Sequence, residues 1–342
     1  MTVTPVIHVA HRATRRARRP SYLINFEVRK MSDWNRTGPV VVEVDGSAEN
    51  LRIVDYASAE ALRAGAELVL IAPYSAHGSF SPMMPGYLPK SPAELADDAV
   101  RAAVAHVRHH DGYATELAAL TAEGSRVQVL THAAQNARLL VVRRSPHRGA
   151  QRLVHTQANL SLAARAGCPV VVVPTSWKPS LLDRKVAVGI DGTTLSAEAL
   201  EFAFGVAAGR EADLIVVHAG LPAEHAFNNE DPEHSWICRS DQLLSETLAP
   251  WSSRFPNVTV TRFLSSRPPA AALVHESGEV GLVVVGAHSG PLPIDPVARR
   301  SIAAMTCPVA VVPHHLTVTE KDHRPARRRR AARRDEFVVP TY

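Results

Sequence analysis

The chain has 342 residues, 46% hydrophobic and 21% charged, with a net charge of +5 and three cysteines. These are the proportions of a globular protein with cores large enough to fold unaided, and no apolar run approaches the ~18 residues that a membrane span needs. Cys168, Cys238 and Cys307 lack the spacing of a disulfide framework, a zinc site or a redox motif, which points to a reducing cytoplasm.

The charge is unevenly placed, with +6 on residues 1–37 and +5 on residues 321–342, so the stretch between them is acidic, at −6. Residues 1–37 hold Arg12, Arg15, Arg16, Arg18 and Arg19 with no acid before Glu27 and no secretory apolar core. They read as a disordered leader, or as sequence upstream of a start at Met31, rather than a targeting peptide. Residues 316–342 form an Arg-rich tail with seven arginines between Arg324 and Arg334, which reads as a solvated arm able to meet a phosphate backbone only through charge.

Between these arms the chain alternates strand and helix. Val40 to Val44 is a nearly continuous apolar run, the pattern of a strand buried on both faces of a parallel sheet. Ser47 offers a helix cap, and Leu51, Val54, Ala57 and Ala61 keep helical spacing behind it. The remaining elements are predicted as a strand at Leu68–Ile71, a helix at Ala93–His109, a strand at Tyr113–Thr121, a helix at Arg126–Gln135, a strand at Leu139–Val142, a helix at Leu160–Ala166 and a closing strand at Pro169–Val173.

The whole series then repeats. Val44-Asp45-Gly46-Ser47 returns 146 residues later as Ile190-Asp191-Gly192-Thr193, Leu139-Leu140-Val141-Val142 returns after 143 as Leu282-Val283-Val284-Val285, and Cys168-Pro169-Val170 returns after 139 as Cys307-Pro308-Val309. Ala197, Leu200, Ala203 and Ala207 repeat the helical spacing of the first copy. The second copy has lost three residues before its fourth strand and four more after it. The reading is an α/β protein of two tandem doubly wound units at 38–175 and 184–315, joined by a linker at 176–183. In such a sheet, ligands bind outside the carboxyl ends of the strands where the winding reverses; if the first and fourth strands are the central neighbours, the turns after Val44 and Val142, and those at Asp191 and Gly286, meet over such a crevice.

These landmarks, eight in the same order twice, resemble the universal stress protein family in its tandem form. The resemblance implies a five-stranded parallel sheet in each unit, in the order 3-2-1-4-5 with helices on both faces, and closing strands that pair between units or across a homodimer. It also implies a choice between members that bind ATP and members that do not. The ATP pattern is Gly, two residues, Gly, nine residues, Gly, then Ser or Thr, with an Asp at the end of the first strand. Glycines let the backbone approach the phosphates, and a helix N-terminus supplies free N–H groups.

In the first unit the glycine positions fall on Arg143, Pro146 and Thr156, with Gln157 after them; Pro146 removes a donor. Arg143, Arg144, His147, Arg148 and Arg152 make the loop electropositive, so side chains could hold an anion instead of the backbone. In the second unit Gly286 is kept, Ser289 follows, Gly290 is displaced by one, and the shortened loop puts Asp295 and Pro296 at the helix opening, a well-formed cap whose carboxylate repels phosphate. Asp45 and Asp191 stand where the resemblance puts nucleoside contacts, although an Asp before Gly also bonds its own turn. The expectation is a stress-linked binding or scaffold module that requires no cofactor, binds ATP weakly or not at all and is not an enzyme. The alternatives are an adenine-nucleotide sensor acting through Asp45 and the Arg143–Arg148 loop, and a nucleic-acid-associated factor acting through the basic tail. His106 and His109 lack a third ligand for a metal, no G-x-S-x-G elbow follows a strand, and the apolar loop at 74–92 reads as packed on its own unit.

Overall fold

The computed structural model describes residues 38–75, 90–109, 116–144, 150–191, 196–220, 232–287 and 296–313. Both basic arms and most of the 74–92 loop lie outside them. The first unit runs β1 (Val40–Glu43), α1 (Ala48–Ala64), β2 (Leu68–Tyr74), α2 (Pro92–His109), β3 (Leu117–Glu123), α3 (Arg126–Ala134), β4 (Leu139–Arg143), α4 (Ala150–Arg165) and β5 (Val170–Val173). The second repeats it as β6 (Lys185–Ile190), α5 (Ala197–Arg210), β7 (Asp213–Ala219), α6 (Pro232–Arg254), β8 (Val260–Ser265), α7 (Pro269–Glu276), β9 (Leu282–Ala287), α8 (Pro296–Ala304) and β10 (Val309–Pro313).

The described strands form one ten-stranded sheet in the order β3-β2-β1-β4-β5-β10-β9-β6-β7-β8. Each half has the expected 3-2-1-4-5 order and is parallel throughout. The halves meet where β5 and β10 pair antiparallel, Val172 opposite Val309 and Val170 opposite Val311. An apolar closing strand left at an edge would expose both its side chains and its unpaired backbone groups, and the partner half covers both. Helices α1, α2, α5 and α6 seal one face over a core containing Val42, Ile53, Leu70, Phe204, Leu214 and Leu244. On the other face α3, α4, α7 and α8 cover Leu130, Leu140, Leu162, Val283 and Ile302. The alternation of buried valines along β1, β4, β5, β9 and β10 sends one residue to each face in turn, which is why these strands read as unbroken apolar runs.

Two elements differ from expectation. β3 is Leu117–Glu123 rather than Tyr113–Thr121, because its register is set by seven residues of β2, Leu68 opposite Leu117 through Tyr74 opposite Glu123. The extension of β2 through Pro73 is tolerated because β1 ends opposite Ile71, so beyond that point one side of β2 has no ladder to break. α4 begins at Ala150, ten residues before the predicted Leu160. With Thr156 where the family pattern has a glycine, nothing interrupts the helix there.

Candidate functional site

The winding reverses between β1 and β4, and between β6 and β9, so a crevice opens at the carboxyl ends of each pair. In the first, the chain leaves β1 through Asp45 and turns at Gly46, whose φ of +78° is the left-handed conformation that favours glycine. Asp45 Oδ1 accepts from the Ser47 N–H at 2.9 Å and from the Ser47 hydroxyl at 2.6 Å. Ser47 stands at the start of α1, but its side chain makes no cap bond. The expected Ser47 cap is therefore replaced by an Asp-centred turn.

Arg143, at the end of β4, places Nη2 2.7 Å from Asp45 Oδ2. The residue at the family's first glycine position thus lies across the crevice mouth on the residue expected to meet a nucleoside. Beneath this pair runs a polar layer. Glu43, only 7% exposed, receives Arg126 of α3 on both carboxylate oxygens, with Arg126 Nη2 2.6 Å from Glu43 Oε2. Arg126 Nη2 also donates to Asn159 Oδ1 at 3.0 Å, and Asn159 Nδ2 donates to the Arg143 carbonyl at 3.3 Å. Asn50 ties in β1, donating to the Glu43 carbonyl at 2.9 Å and accepting from the Asp45 N–H at 3.2 Å. Burial opposes the charge on Arg126, but the Glu43 and Asp45 carboxylates outweigh it and raise its pKa. Two cations thus face two anions, and each has its counter-ion.

The other predicted residues scatter. Arg144 donates from Nη1 to the carbonyl of Met305, across the junction with the second half. Thr156 is buried in the interior of α4, beyond the four free N–H groups at the helix start. The side chains of Arg148 and Arg152 lie outside the described residues. In the second crevice, Asp191 Oδ1 accepts from the Ser196 hydroxyl at 2.7 Å, and the Asp191 N–H donates to Ser196 Oγ at 3.3 Å. Gly286 lies within β9 beside Val312. Ser289, Gly290 and Asp295 lie outside the described residues, and α8 opens at Pro296 as expected.

Sequence reasoning missed the Glu43–Arg126–Asn159 layer and an aromatic pair in the second half. His218 Nδ1 is 3.1 Å from the Ile190 carbonyl, and its ring stacks on the buried Trp236 with centroids 6.0 Å apart. The single Glu inside an apolar strand was the one available signal for the first. Nothing in the sequence links His218 to Trp236 of α6. His106, weighed as a metal ligand, lies 2.6 Å from Asp55 Oδ1. Among the described residues no group of three His, Cys, Asp or Glu gathers, and no helix is long and apolar enough to cross a membrane.

Comparison with known proteins bears on the family and the fold. A universal stress protein of Mycobacterium bovis is 30% identical over 267 residues, covering 75% of this chain and 90% of that protein. One of Mycobacterium tuberculosis is 37% identical over 132 residues, a match spanning 37% of this chain and 43% of that protein. The crystal structure of a universal stress protein from Archaeoglobus fulgidus shares the fold, with a TM-score of 0.59 at 13% identity over 82% of this chain and 97% of that one. The model of the universal stress protein family matches twice, at residues 37–174 and 184–313, and the chain belongs to that family as a tandem member.

Proposed function

We propose that the protein is a non-catalytic binding or scaffold module of the stress response, acting in the cytoplasm, whose crevices bind ATP weakly or not at all and do not hydrolyse it. The observation that carries this reading is the Arg143–Asp45 ion pair at 2.7 Å. A glycine there would leave the crevice open to phosphate; a guanidinium fills it and takes the Asp as its own counter-ion. The continuous α4 supports the same reading, because a helix that starts at Ala150 has no free N–H groups at Thr156 to cradle a phosphate.

The second reading, an adenine-nucleotide sensor in the first half, is favoured by the same pair. A triphosphate could draw Arg143 from Asp45, since a charge-assisted bond to phosphate competes with one to a carboxylate. Titration calorimetry with ATP, ADP and AMP separates the two. The closed-crevice reading expects no micromolar binding by the native chain and a gain in Arg143→Gly, which restores the family residue. Micromolar ATP affinity in the native chain that disappears in Arg143→Ala would establish the sensor. A steeply salt-dependent DNA affinity abolished by removing residues 321–342 would instead assign a nucleic-acid role to the tail.

A further inference from the structure

Among the described residues Arg210 and Arg144 make polar contacts across the junction between the halves, and neither position carries an arginine in the other half, although the palindromic strand order implies a twofold relation. On one face Arg210, in the last turn of α5, donates from Nη2 to the Tyr56 hydroxyl at 2.8 Å and to Glu60 Oε1 at 2.8 Å. Its side chain is 3% exposed, and its guanidinium carbon lies 5.8 Å from the Tyr56 ring centroid. Tyr56 in turn meets Trp177 of the connector edge-on at 5.1 Å. On the opposite face Arg144 bonds the Met305 carbonyl at the end of α8.

The offset of 146 residues that relates Asp45 to Asp191 holds at both strands flanking α1 and α5, so Tyr56, Glu60 and Ala64 answer to Phe202, Val206 and Arg210. The offset of 143 at the fourth strand makes Ala287 the counterpart of Arg144. Equivalent positions have thus become complementary. Two first halves brought together would have Glu60 twice, each keeping only Arg63 of its own helix at 2.5 Å and lacking Arg210. Two second halves would bury Arg210 twice against Phe202 and Val206 with no acceptor, and would lose the Arg144 bond as well. Arg210 has little to spare, since its Nε and Nη1 already lack an acceptor among the described residues. Leaving a buried ion without its counter-ion is among the heaviest penalties a packed interface carries. The backbone pairing of β5 with β10 cannot discriminate in this way, because both strands are apolar and nearly identical.

We infer that the closing face of each half is a recognition surface specific for the unlike half, with Glu60 and Tyr56 as one side of the code and Arg210 as the other. The surface accepts the second half of its own chain, or that of another copy by exchange; it rejects a second half against a second half by leaving Arg210 buried and unpaired, and disfavours a first half against a first half by removing the Arg210 bonds to Glu60 and Tyr56. The full chain tests this by exchanging the charges. Glu60→Arg and Arg210→Glu should each lower the unfolding temperature by ~10 °C. The double variant should recover most of that loss. Co-expressed Glu60→Arg and Arg210→Glu chains that form a mixed dimer in light scattering would support the code, since every junction in it joins opposite charges. If the reversals prevent folding, Glu60→Gln, Arg210→Gln and their double provide the same cycle. A double variant no more stable than the weaker single variant overturns the inference, and so does dimerisation of either single variant through like halves.

Discussion

The two crevices began from one pattern and have been filled in opposite ways. Under the first lies a layer of ions, Glu43 with Arg126 and Asp45 with Arg143. In the second the counterpart of Glu43 is Gly189, where an added Cβ would come within 2.8 Å of Leu273 Cδ1, so an apolar side chain packs against the strand there and leaves no room for an acid. Asp191 accepts from the hydroxyl of Ser196. A fold can therefore hold its shape over either a charged or an apolar floor, provided each is complete: buried ions need counter-ions, and apolar floors need contact.

The comparison is broken most sharply by removing one ion. Arg126→Ala leaves Glu43 buried without its cation and should cost about 3 kcal/mol in chemical denaturation. A loss below about 1 kcal/mol would mean that the layer is solvated rather than structural.

A second difference should appear at alkaline pH, through Cys307 at the start of the last strand. Burial pushes its thiol up to about 12 from the ordinary 9.0. In the unfolded chain the thiol ionises near its ordinary value while the folded protein keeps the proton, so the folded state binds more protons between the two values. Stability from this group is therefore full below about 9 and falls as pH rises toward 12. Cys307→Ala should flatten that part of the profile; an unchanged alkaline slope would place the loss elsewhere, with the buried Tyr56 hydroxyl, also raised chiefly by burial, the next group to replace.

Ser196→Ala removes one hydrogen-bond partner of Asp191 and should cost about 1 kcal/mol, with no change in the first half's ligand behaviour. The smallest effect on stability belongs to Arg143→Ala, about 0.5 kcal/mol for a partly exposed pair. Its value lies in the contrast with Ser196→Ala: only the Arg143 variant should alter nucleotide affinity. If both variants behaved alike in calorimetry, the two crevices would not differ in the way their floors suggest.

The sequence by itself determined the repeat, the family, the parallel order within each half and the placing of the crevices. The repeat follows from local facts, namely apolar runs of strand length, helical spacing, and Asp-Gly turns at fixed offsets; the strand order, and with it the placing of the crevices, follows from the family resemblance that those landmarks carry. It also determined that the glycines of the first loop are absent. Tertiary structure decided what replaced them. Glu43 and Arg126 are 83 residues apart in the chain and Arg210 and Glu60 are 150 apart, and no periodicity within a window of 20 residues can pair such charges. The register of β3 was set by the same kind of distant constraint, a ladder with β2. Arg144 carries the lesson furthest. In sequence it is one more arginine in a basic loop, and only the meeting of β5 with β10 brings a carbonyl of the other half within its reach.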